Sequence, residues 1–301
     1  AYLLLLYGFS SNVYEEFSNE AILLCAWLYS QSGYQMRLAQ DENRLHLLYA
    51  SKHIIYGKSY FQLDGYNYYT LLPASDNIQI STAAFENEQA LSLQVPTHPQ
   101  LSAIYSAPRK LQSEKYPTIQ VSTQTNRNLI DFYQTYPSSE LDGNPLTRWA
   151  IYANTPLSDE VKLYIYPTLE QQLKGSTYRQ AVEKLLNFVQ TAFVYGYDDK
   201  VWGRDRAFFA EETLHYPYAD CEDRSIFFSR LVRDLLDLPV ILVYYPGHLA
   251  TAVAFPEQEQ GDYIILNGQR FTICDPTYIG APVGSTMPKM KNQTAQVILL
   301  Q

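Results

Sequence analysis

The segment DCEDRSIFFSRLVRDLL (residues 220–236) places one cysteine between acidic residues at the start of a predicted amphipathic helix. Asp220 is a favourable N-cap, and Asp223 falls in the first turn, where a negative charge meets the positive end of the helix dipole. The stripe at helical spacing consists of Cys221, Ser225, Phe228, Val232 and Leu235. Cys221 is therefore expected to face the core at the helix tip, as a nucleophile, a metal ligand or a small buried residue.

Four strand-like runs follow this helix within residues 240–276: VILVYY, HLATAVAF, DYIIL and RFTICDP. The pair Pro246-Gly247 turns the chain after the first run, and Asn267-Gly268 is a hairpin signal between the last two. The pattern predicts an antiparallel meander with one helix packed on a small sheet. The expected fold class is α+β.

Two polar residues of these strands are candidates to act with the cysteine. Alternation places His248 on one strand face with Ala250, Ala252 and Ala254, whose small side chains would leave room for a helix tip. Asp275 lies at the end of a later strand, and the proline after it favours an extended backbone there. A thiol, an imidazole and a carboxylate in these positions are typical of a nucleophile, a base and an orienting acid.

A partner is needed because a helix tip alone would not ionise the thiol. A free thiol with a pKa near 8.5 is only a few per cent thiolate at neutral pH, and a helix end contributes about 0.3–1 kcal/mol. Asp220, Glu222 and Asp223 oppose a thiolate, so an imidazolium from His248 is required to stabilise it.

A resemblance to a known family rests on these same motifs. The run DCEDRSIFFSRLVRDLLDLPVILVYYPGHLATAV (220–253), followed by CDPTYIG (274–280), resembles the core of the transglutaminase-like, papain-related cysteine hydrolase superfamily. The resemblance covers about residues 176–286. It resembles in particular a branch of large, uncharacterised bacterial envelope proteins, which implies a periplasmic or cell-envelope location and a cell-envelope protein as partner.

The resemblance implies a papain-like, transglutaminase-like core and roles for individual residues. Cys221 would be the nucleophile, His248 the general base and Asp275 the orienting acid, acting on an amide bond of a peptide or protein through an acyl-enzyme, with no cofactor. The family usually adds an upstream side chain to the oxyanion hole or substrate pocket. Trp202 and His215 are the candidates for that contact.

The sequence divides into three predicted regions. Residues 171–301 would form the transglutaminase-like catalytic domain, residues 76–170 a β-rich middle region, and residues 1–75 a degenerate copy of the catalytic core. The middle region is expected to contain the strands NIQIST, ALSLQV, TIQVSTQ, RWAIYA and VKLYIYP. Ser176 is expected to cap the first helix of the catalytic domain, and the aromatic segment 194–219 to line the site or to pack the core.

The degenerate copy is inferred from the order of its elements. A helix, NEAILLCAWLYSQSG (19–33), is followed by strands that end near YNYYTLLP (66–73), as the helix at 221 is followed by strands that end at ICDP. The helices are overlaid at Ala21 and Ser225. The predicted counterparts are Phe17 for the cysteine, Leu45 or His46 for the histidine, and Tyr69 or Thr70 for the acid.

Charge and hydropathy exclude other function classes. A net charge of −9 disfavours nucleic-acid binding, which rests on clustered Lys and Arg. The apolar opening AYLLLLYGFSSN lacks a basic region before it and is too short to span a bilayer, so a strand or a short helix is expected and no transmembrane segment. Three cysteines give no dense disulfide framework.

Several alternatives to the triad are chemically open. Cys221, His248 and Asp275 are all zinc-ligand types, but no paired ligand spacing supports a metal there. An acidic run has oxygen ligands that could bind calcium, but it lacks the alternating spacing of a calcium loop. The run consists of Asp198, Asp199, Asp205, Glu211 and Glu212. Cys25 and Cys274 are expected to be structural, and three histidines to be surface or packing residues: His46, His53 and His98.

Two functions from different classes follow. The first is a cysteine protease, amidase or acyltransferase. The alternative is a non-enzymatic binding or scaffold protein of the bacterial cell envelope that keeps the fold without the chemistry. The sequence leaves open the substrate and the choice between hydrolysis and transfer, because both pass through the same acyl-enzyme.

Overall fold

The computed structural model describes residues 2–75 and 77–301, which form a mixed helix and antiparallel-sheet fold. The helices are α1 (Tyr2–Val13), α2 (Asn19–Gln31), α3 (Arg127–Gln134), α4 (Thr147–Asn154), α5 (Asp159–Leu173), α6 (Tyr178–Thr191), α7 (Asp198–Val201), α8 (Ala210–His215) and α9 (Cys221–Leu236). The strands are β1 (Met36–Asp41), β2 (Arg44–Ser51), β3 (His53–Ile55), β4 (Phe61–Leu63), β5 (Tyr66–Thr70), β6 (Gln79–Ile80), β7 (Arg109–Gln112), β8 (Gln120–Thr123), β9 (Ser139–Leu141), β10 (Val240–Tyr245), β11 (His248–Val253), β12 (Tyr263–Leu266), β13 (Gln269–Cys274) and β14 (Gln296–Leu299). These elements confirm the α+β class.

The chain divides into two compact units. The first contains Ala1–Leu93 and Pro137–Pro145, and the second contains Gln94–Tyr136 and Leu146–Gln301. The excursion at 137–145 belongs to the first unit because β9 pairs with β3 there. No helix of residues 2–75 and 77–301 has both the length and the apolar character that a membrane crossing requires.

The second unit is built around α9, as predicted from the sequence. Asp220 caps the helix by accepting the backbone N–H groups of Glu222 and Asp223, and Asp223 returns a bond to the N–H of Asp220. This reciprocal capping box fixes the start of the helix at Cys221. The helix packs on β10 and β11.

The sheet beneath α9 is not the predicted meander. Its strand order is β12-β13-β11-β10-β14, so β13 rather than β12 lies beside β11. The predicted Asn267-Gly268 hairpin does join β12 and β13, with positive φ at both turn residues. The connection from Val253 to Tyr263 is long enough to let the second strand of the hairpin, β13, pair with β11 while β12 lies at the edge of the sheet.

The face of β11 that carries small side chains was predicted to receive the tip of α9, and this prediction was wrong. Ala250, Ala252 and Ala254 belong to a core cluster on the side of the sheet away from α9. Leu249 and Val253 instead share a core cluster with the residues of α9. Large apolar side chains face the helix because they fill the space between a helix and a sheet better than alanines do.

Two of the strands predicted for the middle region are helices. RWAIYA lies in α4 and VKLYIYP in α5, whereas TIQVSTQ contains the strand β8. In α5 the buried residues recur every fourth position, at Val161, Ile165, Leu169 and Leu173. That helical period, together with the Ser158 N-cap, outweighs the β-favouring tyrosines and isoleucine. The cap of α6 is Thr177 rather than Ser176.

The first unit contains a sheet with the same topology as the second. Its strand order is β4-β5-β2-β1-β6, and that of the second unit is β12-β13-β11-β10-β14. In both sheets the first, second, third, fourth and fifth strands along the chain occupy the same places. A helix precedes each sheet, and β1 and β10 are both followed by a two-residue turn. The registers also agree, since Ala50 donates to Gln35 O at 3.0 Å and Ala254 donates to Pro239 O at 2.9 Å.

These registers correct two of the predicted counterparts. Asp41 pairs with Arg44 as Tyr245 pairs with His248, so the position of His248 corresponds to Arg44 rather than Leu45 or His46.

The acid's counterpart follows from the neighbouring strand. Leu47 is the equivalent of Thr251. The backbone N–H of Leu71 donates to Leu47 O (2.9 Å), as Cys274 pairs with Thr251, so Leu71 corresponds to Cys274. Asp275 therefore corresponds to Leu72 rather than Tyr69 or Thr70. The chain between equivalent positions is one residue longer in the first unit, from Leu47 to Leu71, than from Thr251 to Cys274 in the second.

A buried carboxyl in the second unit makes its stability depend on pH. Glu211 accepts bonds from the backbone and hydroxyl of Ser158, and burial raises the pKa of Glu211 from 4.5 to about 7. The folded state therefore binds more protons than the unfolded state between these values, so stability falls as pH rises through this window. We expect Glu211→Gln to remove about 2–3 kcal/mol of that loss.

Urea unfolding at pH 5 and pH 8 measures this difference. Glu170→Gln is the matched control, because Glu170 is exposed on α5 and does not contribute to the raised pKa of Glu211. Equal pH dependence in wild type and Glu211→Gln would contradict the prediction.

Candidate active site

The tip of α9 meets the start of β11. The hydroxyl of Ser225, in the second turn of α9, donates to Leu249 O at 3.0 Å. This contact is short-range and directional, so it fixes the start of α9 against the strand. The Leu249 N–H is close enough to the Cys221 thiol to lower its pKa, which places the sulfur near the residue that follows His248.

His248 and Asp275 form a buried pair at the ends of neighbouring strands. His248 Nε2 lies 2.8 Å from Asp275 Oδ2, and the two side chains are 5% and 3% exposed. The register that pairs Thr251 with Cys274 makes them diagonal neighbours on one face of the sheet. Asp275 Oδ1 also accepts the backbone N–H groups of Thr277 (2.9 Å) and Tyr278 (3.2 Å). Because Nε2 is engaged by the carboxylate, Nδ1 is the ring nitrogen left to act as a base.

The histidine and the acid are thus brought together as predicted, and Cys221 lies near Leu249, the residue after His248. Across residues 2–75 and 77–301, no hydrogen bond joins the Cys221 thiol to His248. The contact between nucleophile and base stays a prediction. Apo sites often hold such pairs apart and close them when substrate binds.

The electrostatic surroundings of Cys221 favour the neutral thiol. Burial raises the pKa of Cys221 most, and the charge of Asp220 raises it further, while the Leu249 N–H lowers it. Burial also raises the pKa of Asp220 to about 6 and that of Glu222 to about 8. A positive charge beside the sulfur is needed to reverse this preference.

Two buried residues that the sequence reading missed support the acid and the helix. Gln190 on α6 donates to the backbone carbonyls of Asp275 (3.1 Å), Tyr278 (2.8 Å) and Ala281 (3.1 Å). Arg224 on α9 donates to Gln190 O (2.9 Å) and to Phe193 O (2.8 Å) at the end of α6. The loop that carries Asp275 is therefore tied to α6, and α6 is tied in turn to α9.

The predicted oxyanion or pocket residues are placed in other contacts. Trp202 packs edge-on against Phe208 and Tyr216, with the Arg206 guanidinium 4.6 Å from its ring centroid. His215 Nδ1 lies 2.6 Å from the hydroxyl of Thr125. The structure shows no contact of either residue with Cys221 in the described part of the chain, and their catalytic role stays untested.

The aromatics of segment 194–219 divide between the two predicted roles. Phe208 and Phe209 are buried in the core, whereas Tyr195, Tyr197 and Tyr218 are exposed. Tyr195 lies close enough to Cys221 for the thiolate charge to raise the pKa of its hydroxyl, after the larger effect of burial.

The other cysteines and histidines pack as expected, with one exception. Cys25 and Cys274 are buried and free. His53 lies beside the Ser139 hydroxyl, and His98 bonds the hydroxyl of Tyr133 at 2.9 Å. His46 does have an acid partner that sequence reading missed, since its Nε2 lies 3.0 Å from Asp41 Oδ1.

The predicted acidic run does not act together. Glu211 bonds Ser158, and Glu212 forms an ion pair with Arg206. Asp198 lies near Asp220 and Glu222 at the tip of α9. Proximity in the sequence therefore did not predict proximity in the fold.

Comparison with known proteins adds no relative. A scan against protein-family models and searches of curated proteins and of solved structures found no match to this chain. Its function is therefore inferred from the geometry of the site.

Proposed function

We propose that the second unit is a cysteine hydrolase or acyltransferase of the transglutaminase-like, papain-related type, acting on an amide of a peptide or protein. The observation that carries this proposal is the buried His248–Asp275 pair at the ends of neighbouring strands. Buried imidazole–carboxylate pairs of this kind orient a base toward a nucleophile.

The reaction would proceed through an acyl-enzyme. His248 Nδ1 takes the thiol proton as the sulfur of Cys221 attacks the carbonyl carbon, and Asp275 holds the imidazolium in orientation. The C–N bond then breaks, and the proton passes from His248 to the leaving amine. Water or a second amine next attacks the thioester, which releases the acid or the new amide and restores the thiol.

The role of His248 follows from the electrostatics of the tip. Burial and the acidic neighbours hold the pKa of Cys221 above its ordinary value. Formation of the imidazolium would supply a positive charge that stabilises the proposed thiolate. The acidic neighbours act chiefly as caps of α9.

We infer that the first unit is a catalytically inactive copy of this core. The equivalent positions hold Phe17, Arg44 and Leu72, none of which supplies a thiol, a base or an acid. The Arg44 guanidinium instead lies 5.8 Å from the ring centroid of Phe17. The loss of these three groups in the first unit is what the alternative function predicts, a binding scaffold of the bacterial cell envelope. The second unit keeps all three residues, which disfavours that alternative for it.

Alkylation by iodoacetamide at pH 6 tests the proposed nucleophile. Peptide mapping would follow Cys221, Cys25 and Cys274 separately, and the two buried cysteines report any unfolding. Only about 0.3% of a free thiol is ionised at this pH, so we expect Cys221 to react at least about tenfold faster than free cysteine. A rate no faster than that of free cysteine would favour the scaffold.

A further inference from the structure

Among the described residues, the outer side of strand β12 in the second unit has no strand beside it. β12 ends the order β12-β13-β11-β10-β14, and its register places Leu266 opposite Gln269 across a two-residue turn. Residues that flank such a turn exchange hydrogen bonds with each other, and bonded and non-bonded pairs then alternate along the strand. Leu266 and Ile264 therefore bond inward to β13, whereas Tyr263 and Ile265 point their N–H and C=O groups outward.

The side chains of these two outward-bonding residues are exposed. Tyr263 is 50% exposed and Ile265 is 57% exposed, and both lie on the face of the sheet that carries their cross-strand partners Thr272 and Arg270. The sequence of β12 is YIIL, without the charge or the proline that proteins commonly use to protect an edge strand. An edge of this kind favours pairing with another extended chain.

A cavity beside this edge has room for side chains of an added chain. Its volume is about 400 Å³, and its lining includes Phe255, Pro256, Tyr263, Ile265 and Arg270. A chain that is hydrogen-bonded to Tyr263 and Ile265 would direct every second side chain to this face of the sheet. The cavity is therefore suited to the alternate residues of an extended peptide.

An arginine at this edge lacks a carboxylate partner. The guanidinium of Arg270 stacks on Tyr263, 3.5 Å from the ring centroid. It donates only through Nη2, to the backbone carbonyls of Glu259 (2.8 Å) and Gly261 (3.3 Å). Within residues 2–75 and 77–301, its buried Nε has no acceptor. Because a guanidinium forms its strongest hydrogen bonds with a carboxylate, Arg270 favours an acidic residue in the added chain.

The nearby carboxylates of the chain itself do not pair with Arg270. Glu259 forms an ion pair with Arg179 at 2.8 Å. Glu257 also lines the cavity, but no ion pair joins it to Arg270 in the part of the chain that the structure describes. The positive charge of Arg270 is thus left for an acidic residue opposite Tyr263.

We propose that the edge of β12 binds an extended peptide segment of a partner protein, which adds to the five-stranded sheet as a sixth strand. The segment carries an apolar residue opposite Ile265 and an acidic residue two positions away, opposite Tyr263. Strand addition of this kind takes its affinity from main-chain hydrogen bonds and its specificity from alternate side chains. The binding is independent of the proposed activity and would persist in an inactive protein.

The first unit provides an internal comparison. Its strand β4 has the place of β12 in the sheet, and Leu63 pairs with Tyr66 across a two-residue turn as Leu266 pairs with Gln269. The residue before the last is therefore Gln62 in β4, where β12 has Ile265. A polar residue at this position removes the apolar contact that we assign to Ile265.

Selection of a displayed library of random octapeptides on the whole chain tests this edge. We expect enriched sequences with an apolar and an acidic residue two positions apart, and saturable binding of the synthetic peptide by calorimetry. Methylation of the backbone nitrogens that face β12 should weaken binding, whereas methylation of the alternate nitrogens should not. Ile265→Lys should weaken binding at least about tenfold, because it removes an apolar contact and places a charge on the edge.

Gln62→Lys is the matched control at the equivalent position of the first unit, and it should bind the peptide as wild type does. Cys221→Ala should also bind as wild type, which separates this edge from the proposed active site. Failure to enrich any peptide, equal binding by Ile265→Lys, or equal effects of methylation at all nitrogens would overturn the proposal. A wild-type dimer that Ile265→Lys dissociates in sedimentation would overturn it as well, since a second copy would then occupy the edge. Ile265→Thr decides the outcome if Ile265→Lys does not fold.

Discussion

Replacement of His248 by asparagine should slow the alkylation of Cys221 by iodoacetamide about a hundredfold at pH 6. With the imidazolium present, the thiolate would persist below neutral pH and the wild-type rate should change little between pH 6 and 8. Without it, burial and Asp220 keep the thiol protonated, and the rate should fall about tenfold for each pH unit below the thiol pKa. Rate constants from peptide mapping across this range provide the measurement.

His98→Asn is the control for loss of an imidazole from the same unit. His98 bonds Tyr133, so its removal should leave the pH profile of Cys221 unchanged. Asp275→Asn should give a smaller decrease than His248→Asn, because Asp275 orients the ring and does not touch the sulfur. If the His248→Asn profile matched that of wild type, the proposed nucleophile–base pair would be wrong.

Replacement of Arg224 by methionine should lower the free energy of unfolding by about 2–4 kcal/mol. Arg224 is 1% exposed and donates to two backbone carbonyls at the end of α6. Methionine fills much of the same volume but leaves both carbonyls buried without a donor. Urea denaturation provides the measurement.

Arg230→Met on the same helix is the matched control. Arg230 pairs with Asp234 one turn away near the surface, and such pairs contribute about 0.3–0.5 kcal/mol. The loss for Arg230→Met should therefore be several times smaller than for Arg224→Met. Similar losses in the two variants would show that Arg224 contributes no more than an ordinary surface cation.

The start of α9 and the pairing of His248 with Asp275 could be predicted because their signals are local. A cap residue, a helical stripe and two strand ends bounded by Gly and Pro each specify the backbone within a few residues. The duplicated order of helix and strands was also visible. The counterpart Arg44 stands at the same distance from its helix as His248 does, whereas Leu72 required the hydrogen-bond register.

The mistaken strands in α4 and α5 have a common cause. Tyrosine and isoleucine favour strands in isolation, but burial at every fourth position of α5 stabilises a helix. Intrinsic propensity differs by less than about 1 kcal/mol per residue, whereas burial of one large apolar side chain contributes about 1.5–3 kcal/mol. Packing therefore decides such segments.

The sequence by itself determined where the helix tip begins and which cysteine, histidine and aspartate share the second unit, because capping and strand alternation act between near neighbours. The tertiary structure alone decided that β13 lies beside β11, that Gln190 ties the Asp275 loop to α6 and Arg224 ties α9 to α6, and that Asp198 joins Asp220 and Glu222. These contacts join residues distant in the chain. Their geometry is fixed by packing and by the need to satisfy buried polar groups, which no local pattern records.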